Sequence, residues 1–191
     1  AATTVSIFQV DQATVSANGP LAFCDGGSVT LTASEGASYS WMPNGETSQS
    51  ILVETSGVYS VTVVDENGCE SSSASETVTV YDEPTATVTA NGPLTFCEGG
   101  SVVLTSSLGE TYSWVPNGET TQSITVTESG TYWVTITDEN GCEGRSALEF
   151  VTVNPNPAPI ITANGPTEFC EGGSVQLIGP AGFIYNWSPN G

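Results

Sequence analysis

A block of 73 residues, written more than twice, constrains this chain more than any other feature. Ala-Asn-Gly-Pro begins at Ala17, Ala90 and Ala163, and 90 − 17 and 163 − 90 are both 73. Cys24, Cys97 and Cys170 keep the same step, as do Trp41, Trp114 and Trp187, and Cys69 and Cys142. A fixed period without insertions marks one folding unit copied in tandem. Such a chain is expected to be a stalk, array or filament rather than an enzyme.

The phase of the repeat divides the chain. Thr4-Val5-Ser6-Ile7-Phe8 sits one period before Thr77-Val78-Thr79-Val80-Tyr81, so residues 1–9 read as the last strand of a preceding unit. Residues 10–82 and 83–156 read as full units, and 157–191 as the N-terminal part of a third. On this reading the chain is an excerpt from a longer repetitive protein. The rival is a short mature protein with a truncated last unit.

Within a unit the residues alternate with period two. Val29-x-Leu31, Ile51-x-Val53, Tyr59-x-Val61-x-Val63 and Val78-x-Val80 each place one apolar set inward, and the second unit repeats the pattern. Thr and Ser fill many of the alternate positions, as on a sheet with one wet face. Asn-Gly at Asn18, Asn44 and Asn67 suits tight turns with positive φ. Short strands at this spacing predict tandem immunoglobulin-like β-sandwiches. Counting residues 85–89, 94–96, 102–105, 111–114, 123–127, 131–137 and 148–153 gives seven strands. If these run alternately up and down, a unit starts and finishes at opposite ends, and units chain into an extended rod. Both cysteine turns then fall at one end. The expected bridges are Cys24–Cys69 and Cys97–Cys142, inside a unit. Closing 69 − 24 = 45 residues would stabilise by about 4 kcal/mol. Cys170 would pair at 170 + 45 = 215, outside the chain.

Composition excludes several functions. The chain holds 21 Asp and Glu, one Arg (Arg145), no Lys and no His, for a net charge of −20. Nucleic acid needs cations to displace its counterions, and anionic membrane surfaces need a basic patch. No apolar run of about 20 residues is present for membrane insertion. Regular cysteines point to disulfides in an oxidising compartment. Without His or Lys, general-base and Schiff-base chemistry lack their usual side chains. No catalytic residue is assigned and no cofactor is required. Calcium is the one cofactor to test: Asp65-Glu66-Asn67 and Asp138-Glu139-Asn140 offer oxygen ligands on tight turns, with Glu70 and Glu143 close by. Six to eight oxygens are needed, more than one turn supplies. Trp133 is the candidate contact residue. It is out of phase with inward Tyr132 and Val134 and replaces Ser60 of the first unit. A binding contact and packing against a neighbour or linker are both open to it.

Phe-Cys-Glu-Gly-Gly-Ser-Val, Tyr-Ser-Trp-x-Pro-Asn-Gly, Thr-Gln-Ser-Ile-x-Val, Ser-Gly-Thr-Tyr and Asp-Glu-Asn-Gly-Cys together resemble the immunoglobulin-like or PKD-like repeats of giant Bacteroidetes cell-surface adhesins. Nearly the whole chain takes part. The resemblance implies export, a bacterial cell-surface or extracellular location, a link to gliding motility and type IX secretion, and a non-catalytic role. The expected function is a stalk or filament that gives an adhesin reach and rigidity. The expected partners are neighbouring repeats and laterally associated copies. The alternatives are multivalent polysaccharide-binding modules and spacer domains of a secreted hydrolase.

Overall fold

The computed structural model describes residue 3 and residues 10–188. The strand expected at residues 4–8 lies outside them. The first sandwich is built from β1 (Val15–Ala17), β2 (Ala22–Cys24), β3 (Val29–Ala33), β4 (Ser38–Met42), β5 (Ser50–Val53), β6 (Gly57–Val64), β7 (Glu70–Ser72) and β8 (Glu76–Tyr81). One sheet has the order β1-β3-β5; the other has β2-β8-β6-β4, with β7 on the edge of β6. The second sandwich repeats this with β9 (Val88–Ala90), β10 (Thr95–Cys97), β11 (Val102–Ser106), β12 (Thr111–Val115), β13 (Ser123–Val126), β14 (Gly130–Thr137), β15 (Glu143–Arg145) and β16 (Glu149–Asn154). The chain is thus all-β, in tandem immunoglobulin-like sandwiches.

The alternation explains the strands. In β3, Val29, Leu31 and Ala33 are buried while Thr30 and Thr32 face outward; in β6, Tyr59, Val61 and Val63 are buried. On the outer face the hydroxyls pair across strands, Thr32 with Ser50 and Thr105 with Ser123, both at 2.9 Å. Trp41 and Trp114 fill the two cores with no exposed surface. Their indole N–H groups still need acceptors, and donate at 2.9 Å to the carbonyls of Ser48 and Thr121.

The strand path corrects one expectation. Residues 85–89 and 94–96 are not two opposed strands, and neither are their counterparts in the first unit. At Asn18-Gly19-Pro20 the chain leaves one sheet and joins the other. Asn18 fixes the crossing: its Oδ1 accepts the Thr30 N–H at 2.8 Å and its N–H donates to the Thr30 carbonyl at 3.1 Å. β2 then runs parallel to β8, with Cys24 opposite Tyr81 at the point where the chain leaves the unit. Gly45 and Gly68 take the positive φ expected of Asn-Gly turns, at 78° and 80°; Gly19 does not. The missing reversal comes after β4, where the Trp41 N–H donates to the Glu46 carbonyl and the chain doubles back toward β5.

Each unit therefore has a proximal end, where the chain arrives, and a distal end, where it leaves. Residues 157–188 contribute β17 (Thr162–Ala163) and β18 (Leu177–Ile178), paired only with each other. Trp187, the repeat equivalent of Trp41, is 47% exposed there, because this segment carries no second sheet to cover it.

Candidate functional site: the junction between sandwiches

Cys24 and Cys69 lie at opposite ends of their sandwich. Cys24 follows β2 at the distal end, where the Asp25 N–H donates to the Tyr81 carbonyl at 2.8 Å. Cys69 lies in the turn between β6 and β7 at the proximal end, against Ala13, Ser34 and Glu35. They cannot bridge within a unit. Instead Cys24 is bonded to Cys142 of the following sandwich, with Cα atoms 5.5 Å apart and a sequence separation of 118. The expected Cys24–Cys69 and Cys97–Cys142 bridges are thus replaced by one bridge between units. Cys69, Cys97 and Cys170 are free thiols. The cause is the sheet switch at Asn18: two passes in one direction carry Cys24 away from the turn that holds Cys69.

The proximal end of the second unit is adapted to this contact. Cys142 has no exposed surface, and its neighbours Gly144 and Ser146 on β15 and just beyond it are buried. A Cβ on Gly144 would collide with the carbonyl of Pro84 in the linker. The first unit has Ser71 at that position, with its Oγ accepting the Ala13 N–H at 2.9 Å. Glycine thus lets the linker lie directly against the β15 edge.

The acidic turns are built around their own backbone. Asp138 Oδ1 accepts the N–H groups of Asn140 at 2.9 Å and Cys142 at 2.8 Å, while Oδ2 faces the Asn140 amide. Asp65 does the same for Asn67 and Cys69. The Cys142 and Cys69 N–H groups hold the Asp138 and Asp65 carboxyls below the ordinary Asp range, with the Asn N–H bonds adding to the effect and desolvation opposing it. These carboxylates position the cysteine that follows them. Among the described residues no three His, Cys, Asp or Glu side chains converge as a metal set. Glu66 and Glu139 are exposed at the turn tips, and Asn67 and Asn140 turn their amides toward Asp65 and Asp138. Within each turn the structure places Asp65 beside Asn67 and Asp138 beside Asn140, with Glu66 and Glu139 directed to solvent.

Trp133 is half-buried, and its ring is covered by the Arg145 guanidinium, 4.4 Å from the ring centroid. The single cation of the chain thus sits on the residue expected to make a contact. The equivalent pair in the first unit is Ser60 and Ser72, so both positions change together between repeats. That joint change was the available signal for the stacking. Gly144 in place of Ser71 was a similar signal for the linker contact. One further feature repeats: Glu46 and Glu119 each keep one carboxylate oxygen out of solvent with no hydrogen-bond partner among the described residues, while the other accepts the Asn44 or Asn117 amide at 3.2 Å.

No family profile and no curated protein sequence matches the chain. Several solved structures resemble it. Murine CEACAM1b is 15% identical, with 74% of this chain and 100% of that one covered and a TM-score of 0.37. The fibronectin(III)-like modules of Clostridium thermocellum CbhA are 13% identical over 73% and 94%, with a TM-score of 0.36. The human OSCAR ligand-binding domain is 15% identical over 74% and 98%, with a TM-score of 0.32. The sandwich assignment stands on the strand register described above.

Proposed function

We propose that this chain is a non-catalytic structural segment of an extracellular bacterial adhesin, a stalk whose function lies in reach and stiffness. One observation carries the reading: the Cys24–Cys142 bridge joins the distal end of one sandwich to the proximal end of the next. A disulfide inside a unit would stabilise that unit; this one restricts the hinge between units. Linker and bridge give two covalent connections where a flexible tandem array has one. Disulfide use fits an oxidising, exported environment. The repeat motifs that resemble Bacteroidetes surface adhesins make the cell surface, with type IX export and gliding, the proposed setting. Adhesion itself is assigned to other parts of such a polymer.

Small-angle X-ray scattering of the oxidised and reduced chain tests this. Reduction is expected to broaden the distance distribution through bending at residues 82–84, with the sandwich cores intact by circular dichroism. Identical scattering in both states would remove the stiffening role.

A further inference from the structure

Asn-Gly occurs six times in the two sandwiches, at Asn18, Asn44, Asn67, Asn91, Asn117 and Asn140. In such a pair the glycine nitrogen can attack the asparagine side chain, because no Cβ on the glycine shields it. The structure divides the six. At Asn44 and Asn117 the glycine N–H donates to the Trp41 or Trp114 carbonyl at 2.7 Å, and the asparagine amide donates to Glu46 or Glu119 at 3.2 Å. At Asn67 and Asn140 the glycine N–H donates to the Asp65 or Asp138 carbonyl at 3.1 Å, and the amide turns to the same aspartate at 3.5 and 3.4 Å. In these four pairs the attacking nitrogen and the leaving amide are both held.

Asn18 and Asn91 are arranged the other way. Among the described residues the Gly19 and Gly92 N–H groups have no acceptor, and neither does the Nδ2 of either asparagine. The engaged group is the side-chain carbonyl. Asn18 Oδ1 accepts the Thr30 N–H at 2.8 Å, and Asn91 Oδ1 accepts the Val103 N–H at 2.9 Å. The asparagine backbone N–H groups donate back to the Thr30 and Val103 carbonyls at 3.1 Å, which fixes both residues against the strand. A strand N–H aimed at Oδ1 polarises the Cγ carbonyl and meets the negative charge that builds on the oxygen under attack. Both pairs are exposed, and a Cβ on Gly19 or Gly92 would meet nothing within 4 Å, so water reaches them.

We propose that Asn18 and Asn91, at the sheet switch of each sandwich, are sites of spontaneous deamidation, and that isoaspartate formed there loosens the strand that follows. Water is the only co-reactant. The Gly19 nitrogen gives its proton to solvent and attacks Asn18 Cγ. A C–N bond forms, and Nδ2 takes up a proton and leaves as ammonia. Water then opens the resulting succinimide. Cleavage of the new N–Cγ bond leaves aspartate. Cleavage of the original peptide bond leaves isoaspartate, whose main chain runs through Cγ and is longer by one carbon. Asparagine and water become an acid and ammonia, with no change of oxidation state. The added carbon falls where the chain crosses to β2, the strand that carries Cys24 to the junction. It draws the Asn18 backbone away from its place against Thr30 and shifts the entry into the parallel pairing of β2 with β8.

The test is to age the purified, oxidised chain at mildly alkaline pH, digest it with pepsin in acid, and separate the Asn, Asp and isoaspartate forms of each peptide by chromatography and mass spectrometry. Asn18 and Asn91 are expected to convert several-fold faster than Asn44, Asn67, Asn117 and Asn140. In urea, with the disulfide reduced, all six should convert at similar rates. The proposal is overturned if Asn18 and Asn91 do not lead in the folded chain, or if their lead persists in urea, where only local sequence could cause it. Gly19→Ala fits the open space and the negative φ at that position. It should leave circular dichroism unchanged and slow conversion at Asn18 several-fold, with Asn91 as before. Undiminished conversion at Asn18 would rule out the cyclic route. Hydrogen exchange reads the consequence: the aged chain should exchange faster at Ala22–Cys24 than the aged Gly19→Ala chain, and equal exchange would sink the loosening of β2.

Discussion

Asp138 shows how much one side chain can settle. It accepts two backbone N–H bonds and so fixes the turn that delivers Cys142. Its carboxyl, and that of Asp65, is held below the ordinary Asp range. A depressed folded-state value adds stability above the unfolded value, about 3.9, and that stability is lost as pH falls through the folded value. Thermal unfolding followed from pH 6 to pH 2 should therefore show a loss concentrated below about pH 4. Asp138→Asn should shrink that loss in the second unit while lowering its melting temperature at pH 7. An unchanged pH profile in the variant would refute the assignment. At Trp133 the relevant partner is Arg145. Arg145→Gln should uncover the indole, shift its fluorescence to the red and cost about 0.5–1 kcal/mol. An unchanged spectrum would mean that the stacking does not persist in solution.

At the scale of elements, the β-sandwich was legible and the position of its ends was not. Alternation in β3, β6, β11 and β14 identifies the buried face directly, since every second residue must point the same way. Trp41 and Trp114 could likewise be placed in the core from their strand context. Asn18-Gly19-Pro20 has the composition of a reversing turn, and only tertiary pairing decides that it is a sheet switch. The cysteine pairing is ambiguous in the sequence for a related reason. Separations of 45 and 118 differ by one period, so a perfect repeat cannot distinguish a bond within a unit from one between units. The signals that could have helped were departures from the repeat, Gly144 above all. Gly144→Ser restores the side chain of the first unit but pushes against the Pro84 carbonyl. It should loosen the junction, visible as faster hydrogen exchange in β15 and quicker reduction of Cys24–Cys142, with little change in the second core. Equal reduction rates would show that the close approach of the linker is dispensable.

For the whole molecule, charge and connectivity act together. A net charge of −20 spread along the whole chain makes neighbouring copies repel one another. Light scattering should stay low at neutral pH and low salt and rise as the pH approaches the sequence pI of about 4.1. A flat profile would mean that lateral repulsion is not what keeps chains separate. In the chain-entropy treatment, a bridge across 118 residues restricts the unfolded chain by about 5 kcal/mol. That restriction spans both units, so reduction should convert one coupled unfolding transition into two.

The Cys24–Cys142 bond also sets where mechanical tension would travel. Pulled from its two termini, the chain transmits force through residues up to Cys24, across the sulfurs, and onward from Cys142. The stretch between them is bypassed, so roughly 400 Å of potential slack, at about 3.4 Å per residue, stays locked while the bond holds. Reduction puts that length back into the line of pull. The parallel pairing of β2 with β8 then matters, because strands drawn from opposite ends of the unit must slide past one another with all their hydrogen bonds loaded in shear at once. A thiol reagent would thus turn a cord of short, fixed reach into one that yields unit by unit.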